Sequence, residues 1–356
     1  MSWLLAFLGF TALIVLHEAG HFTAAKAVGM RVERFFLFFP PRLWSFKRGE
    51  TEYGIGAIPL GGFVRITGMN PDEELDPEVA PRAYYNQPVW KRIVVIGAGP
   101  AVNLLVAFVI LFFLAFQAAD PTVTRVAEVK HGTPAAKVLQ QGDRLIAVDG
   151  KTGDQDVLRA QVAAQKCPGE QTDGCHAATP VTLTVVRDGK QVTVKARPEY
   201  DAQAQRALLG FAYASEPLNP SVPGAAQWSL DRMWEVTSQT VGIVGRIFNA
   251  EERKQISGVV GGYEVTRESF AFDIRQAMFV LALISLSLAV INLFPFLPLD
   301  GGHIFWSLVE KVRGRPVPFR IMERASVVGF MLVAVLFVIG FTNDLGRLTG
   351  EGFGVR

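Results

Sequence analysis

The chain has 356 residues, of which 50% are hydrophobic and 19% charged, and its mean hydropathy is +0.27. An average soluble domain carries about 25% charged residues, so a disordered chain is excluded and an all-soluble one is disfavoured. With 35 basic and 33 acidic side chains the net charge is +2. No overall field recruits nucleic acid, and none is expected as a partner.

Apolar residues gather in four blocks, each able to cross a hydrocarbon core that needs about 20 helical residues. The first lies within residues 1–29 and runs from Trp3 to Val28; its strongly polar side chains are His17, Glu18, His21 and Lys26. No Lys or Arg precedes it, so it does not read as a cleaved signal peptide. The second, residues 93–119, follows Lys91 and Arg92 and ends at Asp120-Pro121. The third, residues 276–303, is interrupted by Pro295 and Pro298, and the fourth, residues 325–342, is followed by a tail of residues 343–356.

Lys and Arg beside spanning segments favour the cytoplasm. Arg31, Arg34, Arg42, Lys47, Arg48, Lys91 and Arg92 fall in or at the end of residues 30–92, and Lys311, Arg313, Arg315, Arg320 and Arg324 in residues 304–324. Both loops are predicted cytoplasmic, with both termini and residues 120–275 outside. This describes a multi-pass protein of the plasma membrane.

Residues 120–200 alternate β-branched runs, V-T-L-T-V-V and V-T-V-K-A, with turns at Asp149-Gly150 and Asp188-Gly189. They predict a small extracytoplasmic β-rich domain, and G-T-P-A-A-K-V-L-Q-Q-G-D-R-L-I-A-V-D-G resembles a PDZ domain. No G-L-G-F carboxylate loop is evident, so a plug or spacer and a peptide binder both stay open. Cys167 and Cys175, on the predicted outer side, are expected to form a local disulfide. In residues 201–275 the run from Trp228 to Phe248 has helical apolar spacing with too many polar residues to span. It predicts an amphipathic helix at the outer surface or packed on the β-rich domain.

The sharpest local signal is H-E-A-G-H at His17 to His21. On a helix, positions i and i+4 share a face, so both imidazoles can meet one metal while Glu18 reaches a water beside it. Ionisable groups inside an apolar helix cost about 2.5–3.5 kcal/mol each even on a mild insertion scale, so mere packing is a poor account of three in five positions. Catalytic zinc takes three protein ligands. The third candidate is Asp300, in N-L-F-P-F-L-P-L-D-G-G-H from Asn292 to His303, where Pro295, Pro298, Gly301 and Gly302 predict broken helix at membrane depth. Other divalent ions also suit such donors.

With these motifs the chain resembles the site-2 protease group of intramembrane zinc metalloproteases, in particular bacterial members that act in regulated intramembrane proteolysis. The supporting motifs occur in family order: H-E-A-G-H, I-P-L-G-G-F-V at Ile58 to Val64, A-G-P-A-V-N at Ala98 to Asn103, one PDZ-like domain and N-L-F-P-F-L-P-L-D-G-G. A single PDZ-like domain and G-M-N-P-D-E-E look most like actinobacterial members. The resemblance implies a polytopic α-helical membrane protein of four transmembrane helices, with a re-entrant β-hairpin loop and an inserted extracytoplasmic PDZ-like domain. It implies Zn2+ held by His17, His21 and Asp300, Glu18 as the residue that activates water, and an active site near the cytoplasmic side. It implies Asn292 as a catalytic and substrate-binding residue, a polar contact to the substrate backbone or the transition state, for which a helix-to-helix hydrogen bond is the alternative. His303 is expected at the interface.

Residues 51–69 alternate like a hairpin, and Gly61-Gly62 admit another backbone, so substrate binding by strand addition is expected there, with a cytoplasmic hairpin that has no substrate role as the alternative. Where the family commonly has G-F-G, this chain reads L-F-F-P-P-R-L-W from Leu37 to Trp44, and Phe and Pro are not expected to take positive backbone angles. The implied partners are the lipid bilayer, a membrane-spanning substrate such as an anti-sigma factor or a signal-peptide remnant, and an upstream site-1-type protease that trims it. A gate of the re-entrant loop or the fourth helix is expected to admit it. The alternatives from other classes are a non-proteolytic metal-binding PDZ scaffold, disfavoured by the intact Glu18, and a transporter, disfavoured by the lack of an inverted repeat.

Overall fold

A bilayer offers no hydrogen-bond partners, so a long apolar run there has helix as its simplest outlet. The computed structural model describes residues 1–70, 73–202, 204, 206–246, 249, 253 and 256–350. Among them, helices long and apolar enough to cross a membrane cover Ser2–Ala27, Val89–Ala115, Ile274–Asn292 and Arg320–Thr349. The chain divides into two compact units: one formed by residues 1–112 and 226–355, the other by residues 113–225.

The first unit begins with helix α1 (Ser2–Ala27). Gly29, at φ +84°, turns the chain out of it, and the Met30 N–H donates to Ala25 O at 2.9 Å. Strands β1 (Val32–Arg48) and β2 (Thr51–Ile66) follow as an antiparallel pair. The hairpin expected within residues 51–69 is therefore one strand of a longer pairing, because β1 supplies partners for residues 51–56, 58 and 62–66. Leu37 lies between Gly62 and Ile55, and Phe36 between Phe63 and Gly54, so the β1 segment 34–37 is flanked on both sides and segment 62–65 lies at an edge.

One expectation is corrected here. Phe38 does adopt a positive φ, +70°, in the left-handed region that costs an L-residue about 1–2 kcal/mol. Its ring packs at 6.0 Å from that of Phe7 on α1, a tilted aromatic contact of a kind worth about 0.5–1.5 kcal/mol. At the turn between the strands, Glu50 accepts hydrogen bonds from Arg82 (2.7 and 2.9 Å) and Lys26 (2.5 Å), tying β1–β2 to the end of α1. The Arg82 guanidinium, with Lys26, holds the Glu50 carboxyl down at about 2.

Helix α2 (Val89–Ala115) packs on this assembly through Val95 and Ile96, which join Ala25, Met30, Val32, Ile66 and Tyr84 in one buried cluster. Among the described residues this part of the chain further contains helices α4 (Val222–Arg246), α5 (Val259–Phe272), α6 (Ile274–Asn292), α7 (Asp300–Arg313) and α8 (Phe319–Thr349). The predicted amphipathic run coincides with α4 as far as the described residues go, α5 is a second helix within residues 201–275, and residues 304–313, assigned to the cytoplasmic loop, are helical. Met233 and Val236 of α4 pack against buried Ala107, Leu286 and Val290. Asp344 of α8, fully buried, caps α5 by accepting from Gly258 N and Gly261 N at 2.9 and 2.7 Å.

The second unit is β-rich. After strand β3 (Val126–Val129), strands β4 (Arg144–Val148), β5 (Lys151–Thr152), β6 (Val181–Arg187) and β7 (Lys190–Ala196) form a sheet in the order β5-β4-β6-β7. Alternate inward residues of β6, Val181, Leu183 and Val185, meet Leu158 of helix α3 (Gln155–Ala163) in the core. Arg187 donates to both oxygens of the buried Asp143 (2.8 and 2.6 Å) and holds its carboxyl below the usual range. Cys167 and Cys175 are joined as a disulfide.

Candidate active site

Four-residue spacing on α1 puts His17 and His21 on one face, both only 7% exposed. That face meets α2 at close range because two glycines remove the side chains between them. A Cβ on Gly20 would lie 2.6 Å from Ala98 O, and one on Gly99 would lie 2.3 Å from His21 Nε2 and 2.9 Å from His17 Cε1. Pro100 in the same turn of α2 has no N–H for the helix ladder. The Val95 carbonyl accepts the Nδ1–H of His21 at 2.9 Å, which leaves the lone pair of its Nε2 facing inward.

Asp300 arrives from the far end of the chain. Helix α6 ends at Asn292, the backbone is irregular through residues 293–299, and Asp300 is the first residue of α7. The irregular stretch folds back on the first turn of α7. A Cβ on Gly301 would sit 2.2 Å from Leu293 O, and one on Gly302 2.5 Å from Leu297 N, so Gly301-Gly302 are required by that approach.

The result is a triangle of donor atoms. His17 Nε2 and His21 Nε2 are 3.2 Å apart, and Asp300 Oδ2 is 3.3 Å from the first and 3.4 Å from the second. A tetrahedral zinc with bonds of about 2.0–2.1 Å has its donors about 3.3 Å apart. Asp300 Oδ2 is buried with no hydrogen-bond partner among the described residues, as an oxygen reserved for a cation would be. These three residues are also the group singled out by convergence of possible ligand atoms among the described residues. On geometry and donor chemistry they could hold Zn2+.

Glu18 is half-buried beside the pair. The Val64 N–H lies at its carboxylate, and a Cβ on Gly62 would come within 3.0 Å of its Cγ. Gly62 thus brings the β2 edge onto the acid, whereas Gly61 packs under the Phe39 ring, where a Cβ would lie at 2.6 Å. Asn292 stands half-buried at the end of α6 and makes no side-chain hydrogen bond to the triangle among the described residues. His303, one turn beyond Asp300, lines a cavity of about 300 Å³ with Tyr84, Tyr85, Arg92, Ser307 and Glu310. Arg92, with 3% of its side chain exposed, makes a two-pronged pair with Glu310 at 3.0 and 2.6 Å and thereby ties α2 to the helix that carries Asp300.

Sequence reasoning missed Gly99, Val95, Asn103, Arg92 and Glu310. The A-G-P-A-V-N motif held the only signal for the first and third, as small and polar residues in an apolar helix.

A buried His-His-Asp triangle with an adjacent glutamate, inside a bundle of membrane-length helices, defines a metalloprotease of the membrane. The chain belongs to peptidase family M50, whose model matches residues 5–336. It is similar to a predicted zinc metalloprotease of Nostoc sp., 31% identical over 99% of this chain and 98% of the relative. It is also similar to zinc metalloprotease Rip1 of Mycobacterium tuberculosis, 30% identical over 93% of this chain and 94% of the relative. Rip1 of Mycolicibacterium smegmatis is 31% identical over the same shares, 93% and 94%. The chain is a zinc metalloendopeptidase and a multi-pass membrane protein, with Zn2+ as its metal.

Proposed function

We propose that this protein hydrolyses a transmembrane segment of another membrane protein, with His17, His21 and Asp300 holding zinc and Glu18 acting as the base. The observation that carries the reading is the triangle of 3.2, 3.3 and 3.4 Å, set beside a glutamate on a membrane-length helix. Bound zinc supplies polarisation of the scissile carbonyl and a water whose pKa falls toward about 7. Glu18 takes a proton from the attacking water and passes it to the leaving amide nitrogen. Val95 O holds the ring of His21 in place, and Gly99 leaves room for both imidazoles.

A substrate helix must be extended before its backbone can be cut. The 62–65 edge of β2, lying against Glu18, supports strand addition as the way the substrate is held, within a β1–β2 loop that re-enters the membrane. Asn292, half-buried at the end of α6 and without a side-chain bond to the triangle among the described residues, contacts the substrate backbone in this reading. The basic residues at the starts of α2 and α8 support an active site near the cytoplasmic side and an outer location for the β-rich unit. That unit, compact in itself, fits a PDZ-like filter that admits substrates such as anti-sigma factors or signal-peptide remnants after a first protease has trimmed them.

Cleavage of a pre-trimmed single-span substrate by the full chain in detergent tests the reading. Wild type should cut, while Glu18→Gln and chelator-treated wild type should not. A wild-type protein that binds zinc yet cuts none of several trimmed substrates would overturn it.

A further inference from the structure

The side chain of Asn103 stands behind the metal triangle, and no step described above uses it. It is wholly buried on α2, and its amide nitrogen Nδ2 faces His17 Nδ1 at 3.3 Å, although the two residues are 86 positions apart in sequence. Its backbone carbonyl accepts a hydrogen bond from Ser285 Oγ of α6 at 2.9 Å, so the turn that carries it is fixed between two helices. The side-chain oxygen of Asn103 has no hydrogen-bond partner among the described residues.

An imidazole that presents Nε2 to a cation carries its proton on Nδ1, and that N–H needs an acceptor. His21 has one in Val95 O. For His17 the group facing Nδ1 is the Asn103 amide. With the NH2 turned toward the ring, Nδ1 would have to accept, and the proton would sit on Nε2, where His21 Nε2 and Asp300 Oδ2 are only 3.2 and 3.3 Å away. Turned half round, the amide offers its oxygen. That oxygen is bonded to nothing where it stands, so the half-turn forfeits no bond on its side. Either way round the amide makes one bond to the ring, and a cation on Nε2 requires the orientation that offers the oxygen.

We infer that Asn103 is the positioning residue of His17: its side-chain carbonyl oxygen accepts the Nδ1–H and holds the imidazole with the Nε2 lone pair facing the metal. The inference rests on His17 being a zinc ligand. It predicts that an acceptor of any kind at position 103 serves, and that an apolar side chain of equal size does not. Removal of such an acceptor weakens metal binding by about 10–100-fold.

The test titrates zinc into the metal-stripped full chain in detergent against a chromophoric chelator, for wild type, Asn103→Leu and Asn103→Asp. Asn103→Leu should bind zinc about 10–100-fold more weakly, and Asn103→Asp, which keeps an acceptor and loses the NH2, should stay within a few-fold of wild type. Nitrogen NMR of the zinc-loaded wild type, labelled in its histidines, should find the His17 proton on Nδ1, a readout independent of how the variants fold. Equal losses in the Leu and Asp variants, an unchanged affinity in the Leu variant, or a proton on Nε2 would each overturn the role of Asn103. A wild-type chain that took up no zinc would instead refute the metal assignment itself.

Discussion

The substitution Gly99→Ala adds one methyl group at the point where α2 presses on the histidine pair. The new Cβ would lie 2.3 Å from His21 Nε2, 2.6 Å from His21 Cε1 and 2.9 Å from His17 Cε1, where ordinary contact begins at 3.4 Å. His21 Nε2 would have to retreat by about 1.1 Å, or α2 move out with Val95 and break the 2.9 Å bond that orients the ring. The zinc-to-nitrogen bond of about 2.0–2.1 Å proposed for His21 would not survive such a shift, and misplacement of a reacting group by about 1 Å costs on the order of 10²-fold in rate. Gly99→Ala should therefore lower kcat/KM by at least about 10²-fold and weaken zinc binding in parallel. Gly97, on the same helix, gives the control: its nearest neighbour is Ile304 Cδ1 at 3.9 Å, an ordinary contact. There Gly→Ala should be neutral or stabilising by up to about 1 kcal/mol. Both proteins would be assayed for cleavage of a trimmed substrate and for zinc by chelator competition. Wild-type zinc affinity and activity in Gly99→Ala would refute the close α1–α2 approach on which the site geometry depends.

Other consequences can be checked separately. Glu18→Gln should retain zinc in chelator competition while kcat falls by about 10²- to 10⁴-fold, the usual contribution of a general base; loss of the metal would instead make Glu18 a ligand. Glu310→Leu leaves the Arg92 charge buried and unpaired, which should cost about 3 kcal/mol or more and appear as a lower Tm in detergent. The Glu50 carboxyl is held at about 2, against about 4.3 in an unfolded chain, so its stabilisation is fully present above about pH 4.5 and is lost as pH falls toward 2. The Tm gap between wild type and Glu50→Gln should accordingly close over that window; a gap that persists at pH 2 contradicts the Lys26–Glu50–Arg82 clasp. For Cys167 and Cys175, a thiol reagent should label neither residue in the denatured, unreduced chain and both after reduction.

Much of the architecture is legible in one dimension because the bilayer imposes a one-dimensional rule. A run of about 20 apolar residues spans, and the four runs read from composition correspond to four helices of membrane length. Local periodicity likewise puts His17 and His21 on one face, since the helix repeat alone brings residues four apart together. Where two non-local answers compete, pattern alone is a poor guide. The alternation of residues 51–69 reads as a self-contained hairpin, yet β1 pairs with that strand, and Phe38, packed on Phe7, takes a left-handed angle that its type disfavours.

The sequence by itself determined the membrane class, the H-E-A-G-H pair and the acidic residue on proline-broken backbone that could complete it. Each depends on neighbours within a few turns. Only the tertiary structure decided that Gly20 and Gly99 let α1 and α2 touch, that the first turn of α7 carries Asp300 to 3.3 and 3.4 Å from the two imidazoles, and that Asn103 stands behind His17. Those facts depend on which face of one helix meets which face of another. That choice is made by the packing of side chains far apart in the chain, and no periodicity along the sequence records it.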